Sequence, residues 1–312
     1  MIIFSKCTSF RRHLVREFQI LTIVFFGFLS SSESVLGGPW RDPRLTVHEG
    51  LSVWLDASKV NASLKESGQA ELASGDAFAA WKNSASAAQV FAATTETSRP
   101  KFVELADAAM IRFDGEDDSL RLTGNNQNLT NATIFIVAAP HSNAGDFRGL
   151  FAANAVDRRD YESGLCIDLG PGPGFRFDQL NVEGRGFGGA RDLLNSADDV
   201  GTLHTLEVVF YAEAKQVRLV MDGKPEGSRP FVPSELSFEE LTVGARFYTN
   251  GPGPQEVRGS FHGDIAEVVV YDRVLSAAES KEVRDYLNHK YAKLAEELPR
   301  ELKLSPKGST PL

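Results

Sequence analysis

Residues 263–294, GDIAEVVVYDRVLSAAESKEVRDYLNHKYAKL, pass within five residues from a β-branched run to an amphipathic helix, and this junction limits the available folds more than any other stretch. Val268, Val269, Val270 and Tyr271 suit a pleated strand and lack polar alternation, so both faces of that strand must be covered. Ser276 offers its hydroxyl to the free N–H groups of a first helical turn, and Glu279 is placed to reach back, which makes a capping box. Behind it, Val283, Tyr286, Leu287, Tyr291 and Leu294 recur three to four residues apart and give the helix one apolar stripe. The pair reads as a final core strand locked by a C-terminal helix.

The start of the chain reads as a leader. Lys6, Arg11, Arg12 and Arg16 precede the apolar run 18–29, and small residues lead to a cut ahead of Gly38, so residues 1–37 are expected to be a signal peptide. An apolar run of about 12 residues falls short of the roughly 20 that a spanning helix needs. No other long apolar run exists, so no transmembrane segment is expected in the mature chain, and the predicted location is secreted, periplasmic or at the cell envelope. Cys7 falls in the leader, so the mature chain keeps only Cys166 and cannot close an internal disulfide. Its apolar setting, Gly-Leu-Cys-Ile-Asp-Leu, marks Cys166 as a buried, inert thiol.

Losing the four basic and two acidic side chains of the leader takes the formal charge from -9 to -11. A negative field with no basic cluster excludes nucleic acid as a partner. Between the termini the chain is a succession of short strand-like runs broken by Gly and Pro. These are LSVWLDAS at 51–58, AMIRFDGEDDSLRL at 109–122, ATIFIVAA at 132–139, FRGLFAA at 147–153, GLCIDLG at 164–170, GFRFDQL at 174–180, HTLEVVFYA at 204–212, KQVRLVMDGK at 215–224 and ELTVGARF at 240–247. Residues 61–100 are rich in Ala, Ser, Thr and Gly and read as irregular chain with one short helix. Asp222-Gly223 is a tight-turn signal. Roughly ten strands without helical crossovers define an all-β antiparallel sandwich in one domain, 38–294, closed by a helix. The last segment, 295–312, holds three prolines and little apolar material, and its composition predicts a disordered tail.

Three segments together resemble the laminin-G-like jellyroll branch of the concanavalin A-like lectin and glucanase superfamily, in its bacterial exported form. They are the Trp-Leu-Asp-Ala opening at 54–57, the Phe-Asp-Gly turn at 113–115, and the Gly-Asp-Ile-Ala-Glu, Tyr-Asp-Arg, Leu-Ser, Glu pattern from 263 to 279. The resemblance implies a concanavalin A-like jellyroll and a recognition role. Physical roles can be assigned to the matched residues directly. Asp56 can accept backbone N–H bonds at a strand end, Gly115 can take a positive φ, and Gly263 permits a bulge or a close backbone approach.

Glycan hydrolysis on this fold places carboxylates on alternate residues of one strand, facing one groove. The nearest acidic strand, Asp264-Ile-Ala-Glu267, has odd spacing, so its carboxylates are expected on opposite faces. His141, His204, His262 and His289 are scattered, and neither a Gly-x-Ser-x-Gly elbow nor a zinc spacing is present. No catalytic residue and no cofactor is therefore expected. Calcium is the one candidate ion, at the acidic turn Glu116, Asp117 and Asp118. Ligands would be met by loops around 143–148, 157–161 and 185–191, with Arg159, Asp160 and Tyr161 the best constellation, while Phe135, Phe177 and Phe210 belong to the core. The resulting expectation is an exported, noncatalytic module that binds carbohydrate or an extracellular protein. A hydrolase with an atypical site and a purely structural surface component stand as alternatives.

Overall fold

The computed structural model describes residues 38–304, so the leader at 1–37 and residues 305–312 lie outside the described residues. One antiparallel sheet runs in the order Lys224–Pro230, Gln216–Met221, His204–Tyr211, Ala132–Pro140, His262–Tyr271, Ala108–Asp114, Lys101–Leu105. The strand Leu51–Asp56 joins it by pairing with residues 267–271 of His262–Tyr271, whereas residues 262–265 of the same strand pair with Ala108–Asp114. The facing antiparallel sheet runs Asn181–Gly184, Leu165–Asp168, Gly149–Asn154, Glu240–Val243, Leu120–Leu122, Val90–Ala92, Ala80–Lys82. The all-β antiparallel jellyroll sandwich expected from the sequence is the observed fold.

Two apolar layers explain why the central strands lack polar alternation. Between the sheets, Ile134, Ile136, Ile265, Val268 and Val270 share one buried cluster with Phe151, Ile167, Leu241 and Val243. On the outer face of the first sheet, Phe135, Val137, Val269 and Tyr271 pack with Val283, Leu287, Tyr291 and Leu294 of the helix Ala277–Leu304. The capping box is formed: Ser276 N–H donates to Glu279 Oε2 at 2.9 Å, and Glu279 N–H donates to Ser276 Oγ at 3.3 Å. Phe135, Phe177 and Phe210 are core residues, and Cys166 is a buried free thiol.

Three expectations are corrected. Residues 295–304 are not a disordered tail, because the helix continues to Leu304 through Pro299. Its stripe continues too: Leu298 is fully buried and Leu302 packs on the same cluster, so apolar contact outweighs the proline. Within 61–100 the short helix Val60–Glu66 is joined by two three-residue strands, too brief for a visible period, and Trp81 on the first is core. The third correction concerns the carboxylates of the last strand.

Candidate functional site

The register of His262–Tyr271 slips at Ala266, so Asp264 lies opposite Ala139 and Glu267 opposite Val137. A bulge adds one residue and restores the side-chain phase, which puts both carboxylates on one face. That face is the one under the helix, not an open groove. Glu267 Oε1 accepts from Trp54 Nε1 at 2.6 Å and Tyr286 OH at 3.0 Å; Oε2 accepts from Lys290 Nζ at 2.6 Å and Tyr291 OH at 2.7 Å. Asp264 is held by Arg112 at 2.8 Å and by His141 Nε2 at 2.8 Å. Burial would raise the Asp264 carboxyl, but His141 and Arg112 outweigh it and hold the group below the usual range. Glu267 fastens the helix to the strand, while Asp264 ties the strand to Arg112 and His141. At Gly263 a Cβ would meet Ala139 O at 2.4 Å, which confirms the close approach expected there.

At the other sheet, the loop residues Arg159, Asp160 and Tyr161 fall into different environments. Asp160 is fully buried beneath Arg246, whose Nη2 and Nε donate to its two oxygens at 2.8 and 3.1 Å, while Arg246 Nη1 reaches Asp168 Oδ2 at 3.1 Å. The backbone N–H groups of Tyr161 and Phe247 also donate to Asp160, so this carboxylate positions the rim and does not face solvent. Burial pushes Asp168 up to about 6 against the pull of Arg246.

Above this ion pair lie the rings. The Arg246 guanidinium stands 4.7 Å from the Tyr248 ring centre, 5.2 Å from Phe147 and 5.6 Å from Tyr161. Tyr161 and Tyr248 are half-buried, 6.2 Å apart at 61°. Arg159 donates to Thr249 O at 2.8 Å and to Glu162 at 2.7 Å, and Tyr161 OH donates to Asn250 Oδ1 at 2.8 Å. Two of the expected loops therefore meet, the 143–148 loop through Phe147. The 185–191 loop is tied instead by Arg229, which donates to Gly188 O and Gly189 O. Sequence reasoning missed Arg246, Tyr248 and Asn250, which lie some 86 residues further along the chain. The alternation of cation, rings and amide in Arg-Phe-Tyr-Thr-Asn was the available signal.

A third feature is the arch between Ala108–Asp114 and Leu120–Leu122, which carries the chain from one sheet to the other. Here Asp114, Asp117 and Asp118 bring carboxylate oxygens within 4.8 Å of one another, a hard-oxygen set that can hold a cation such as calcium. Asp114 takes the place expected for Glu116 in this group, and the Glu116 N–H donates to Asp114 Oδ1 at 2.8 Å. Gly115 takes φ 81°, and Asp118 Oδ2 accepts from Asp114 N–H at 2.9 Å. Burial, with Asp114 and Asp117 beside it, raises Asp118 to about 7.

Two antiparallel sheets, a helix across the outer face of one and an aromatic, polar loop rim beside the other define a lectin-type jellyroll. The chain belongs to the concanavalin A-like lectin/glucanases superfamily, whose laminin-G-type model matches residues 113–279. Among curated proteins none matches. Among solved structures, a Trypanosoma rangeli sialidase in complex with 2,3-difluoro-KDN is 12% identical over 77% of this chain, with a TM-score of 0.47. The chain spans 33% of that sialidase. Domain 4 of AbnA, a GH43 extracellular arabinanase from Geobacillus stearothermophilus, in complex with arabinotriose, is 14% identical, covering 76% of this chain and 97% of that one, with a TM-score of 0.45. A CBM40 of a Ruminococcus gnavus IT-sialidase, bound to α2,3-sialyllactose, is 19% identical over 50% of this chain and 83% of that one, with a TM-score of 0.37. Among the described residues no helix is long and apolar enough to cross a membrane.

Proposed function

We propose that this chain is a noncatalytic recognition module of the bacterial exported type, cut ahead of Gly38, with its folded domain running from 38 to the end of the helix. It binds carbohydrate through the rim of Tyr161, Tyr248, Arg159 and Asn250. The observation that carries this reading is the pair of half-buried tyrosine rings fixed over the Arg246–Asp160 ion pair. Such rings present flat faces to sugar C–H groups, while the neighbouring guanidinium and amide can bond hydroxyls. Burial raises the Tyr161 and Tyr248 hydroxyls, so both remain neutral donors at pH 7. Asp160 acts through Arg246 as a positioning residue.

A hydrolase would use a free pair of carboxylates. Here Asp160 and Asp168 hold Arg246, while Glu240 holds Arg121 at 2.7 Å and Asn154 at 2.8 Å, which suits support over proton transfer. A glycan array probed with the purified chain, with and without calcium, tests the proposal. The expected result is saturable binding of a restricted glycan set, weakened at least about tenfold by Tyr161→Ala or Tyr248→Ala. Glycan binding that survives removal of both rings would sink this assignment. No glycan binding, with capture of an extracellular protein instead, would move the rim to protein recognition.

A further inference from the structure

Beneath the C-terminal helix, away from the tyrosine rim, an amine and two carboxyl groups are held together out of water. Lys290 of the helix Ala277–Leu304 meets the face where Leu51–Asp56 pairs with the end of His262–Tyr271. Its Nζ lies 2.6 Å from Asp56 Oδ2 and 2.6 Å from Glu267 Oε2, and none of the three side chains is more than 4% exposed. Trp54, Tyr286 and Tyr291 close around them by donating to Glu267.

The two acids are not equivalent. Glu267 accepts four hydrogen bonds over its two oxygens. Asp56 Oδ2 has no hydrogen-bond partner among the described residues, because its contact with Nζ is close without being aligned as a hydrogen bond. An oxygen at that distance puts its carboxyl carbon within about 3.5 Å of the nitrogen, the range of a near-attack contact. Asp56 Oδ1 accepts from Ser58 N–H at 3.0 Å, a donor placed for the charge that a tetrahedral intermediate would carry.

We propose that Lys290 and Asp56 condense, once per chain, to an intramolecular amide, with Glu267 passing the protons. Burial disfavours the Lys290 ammonium, but Asp56 and Glu267 outweigh it, so the amine starts charged. It gives one proton to Glu267, whose carboxyl is raised by burial. Asp42, 4.0 Å from Nζ, is no alternative acceptor: hydrogen bonds from Arg44 outweigh its burial and hold it at about 2. The free amine attacks Asp56 Cγ; the C–N bond forms and the Cγ–Oδ2 bond breaks. Oδ2 leaves as water with the proton from Glu267 and a second from the nitrogen, so Glu267 ends as it began and no oxidant or co-reactant is needed. Holding the pair in place supplies the effective concentration that free amine and acid lack in water. The product removes one buried ammonium and one buried carboxylate, and it ties the first strand to the last helix in a chain whose cysteine, among the described residues, is free.

The test is tryptic mapping of the denatured full chain by mass spectrometry. The expected product is a branched peptide joining the segment that holds Asp56 to the segment that holds Lys290, lighter by one water than the two together and uncut after Lys290. Glu267→Gln keeps the size of the side chain and should slow the reaction at least about a hundredfold, read as chains still unlinked after purification. Lys290→Arg, which keeps the charge without a nucleophilic amine, should give no branched peptide. Separate linear peptides from the parent chain would overturn the assignment whatever the variants do. Loss of water confined to the Asp56 peptide would overturn it too, since that marks an aspartate cyclised on its own backbone. Complete linkage in Glu267→Gln would remove Glu267 from the reaction and with it the route proposed.

Discussion

Lys290 supplies the single positive charge that allows two carboxylates to share a dry face. Asp56 and Glu267 lie directly opposite each other in the ladder, a like-charge placement that is unfavourable on its own. Lys290 Nζ sits 2.6 Å from both and is nearly buried. Burial would lower the ammonium, but Asp56 and Glu267 outweigh it and hold it charged. Lys290→Met leaves two buried carboxylates without their cation and should cost about 3–5 kcal/mol in urea unfolding. A loss under about 1 kcal/mol would show that the cluster is not an obligate unit. The triple change adding Asp56→Asn and Glu267→Gln should recover part of the loss, because the surviving groups can stay neutral. The sequence assigned Asp56 to backbone N–H acceptance, which Ser58 N–H at 3.0 Å bears out. It could not reveal Lys290 as the partner, since a lysine behind a helical stripe reads as solvated until the helix is docked. The rim shows the same limit. Arg159 and Tyr161 stand near ordinary turn chemistry, but that Asp160 points inward depends on Arg246, a contact no local pattern encodes.

At the level of elements, strand and helix types were legible where a period persisted over enough residues. The cap at Ser276, the Asp222-Gly223 turn and the double-sided burial of Ala132–Pro140 and His262–Tyr271 all follow from local rules. The turn is formed with φ of 51° and 76° at its two residues, between Met221 and Lys224, which pair. The bulge at Ala266 was not legible: period-two reading assumes an unbroken ladder, and the slip occurs where the neighbouring strand changes from Ala108–Asp114 to Leu51–Asp56. The helix end was misplaced for the opposite reason, since composition outweighed periodicity after Leu294. Leu298 decides between the two helix lengths. In a disordered tail Leu298→Ala would change nothing, whereas in the docked helix, fully buried, it should cost about 2–5 kcal/mol. Chemical denaturation reads this directly, and a shift below about 0.5 kcal/mol would rule out the docked last turns.

Across the whole molecule, titration opposes itself at the two ends of the pH scale. Asp42 is buried, yet its hydrogen bonds from Arg44 and the nearby Lys290 outweigh that and hold it at about 2, and Asp264 is also depressed. Their stabilisation is present above the ordinary carboxylate range near 4 and is lost as the pH falls below it. Asp118 and Asp168 are raised, to about 7 and about 6. For these the folded state keeps a proton that the unfolded chain has released, so stability declines as pH rises from about 4 through those values. Burial, with His141 and Arg148 nearby, depresses His262, which loses stability towards acid and opposes this slope below about 6.5. Comparison with a single variant separates these contributions. Asp118→Asn retains an acceptor for Asp114 N–H and removes the ionisation, so in EDTA it should gain on the parent by about 1–2 kcal/mol between pH 5 and pH 8. Calcium acts on the same carboxylates with the opposite sign. It competes with the Asp118 proton, so its stabilisation of the parent should grow as pH rises through about 7 and should be absent from the variant. Thermal unfolding of both proteins at pH 5, 6.5 and 8, in EDTA and in calcium, distinguishes the cases. A calcium effect of equal size in both proteins would place the ion elsewhere. If neither protein responds, the arch is an acidic turn whose strain on folding at neutral pH is met by the rest of the sandwich.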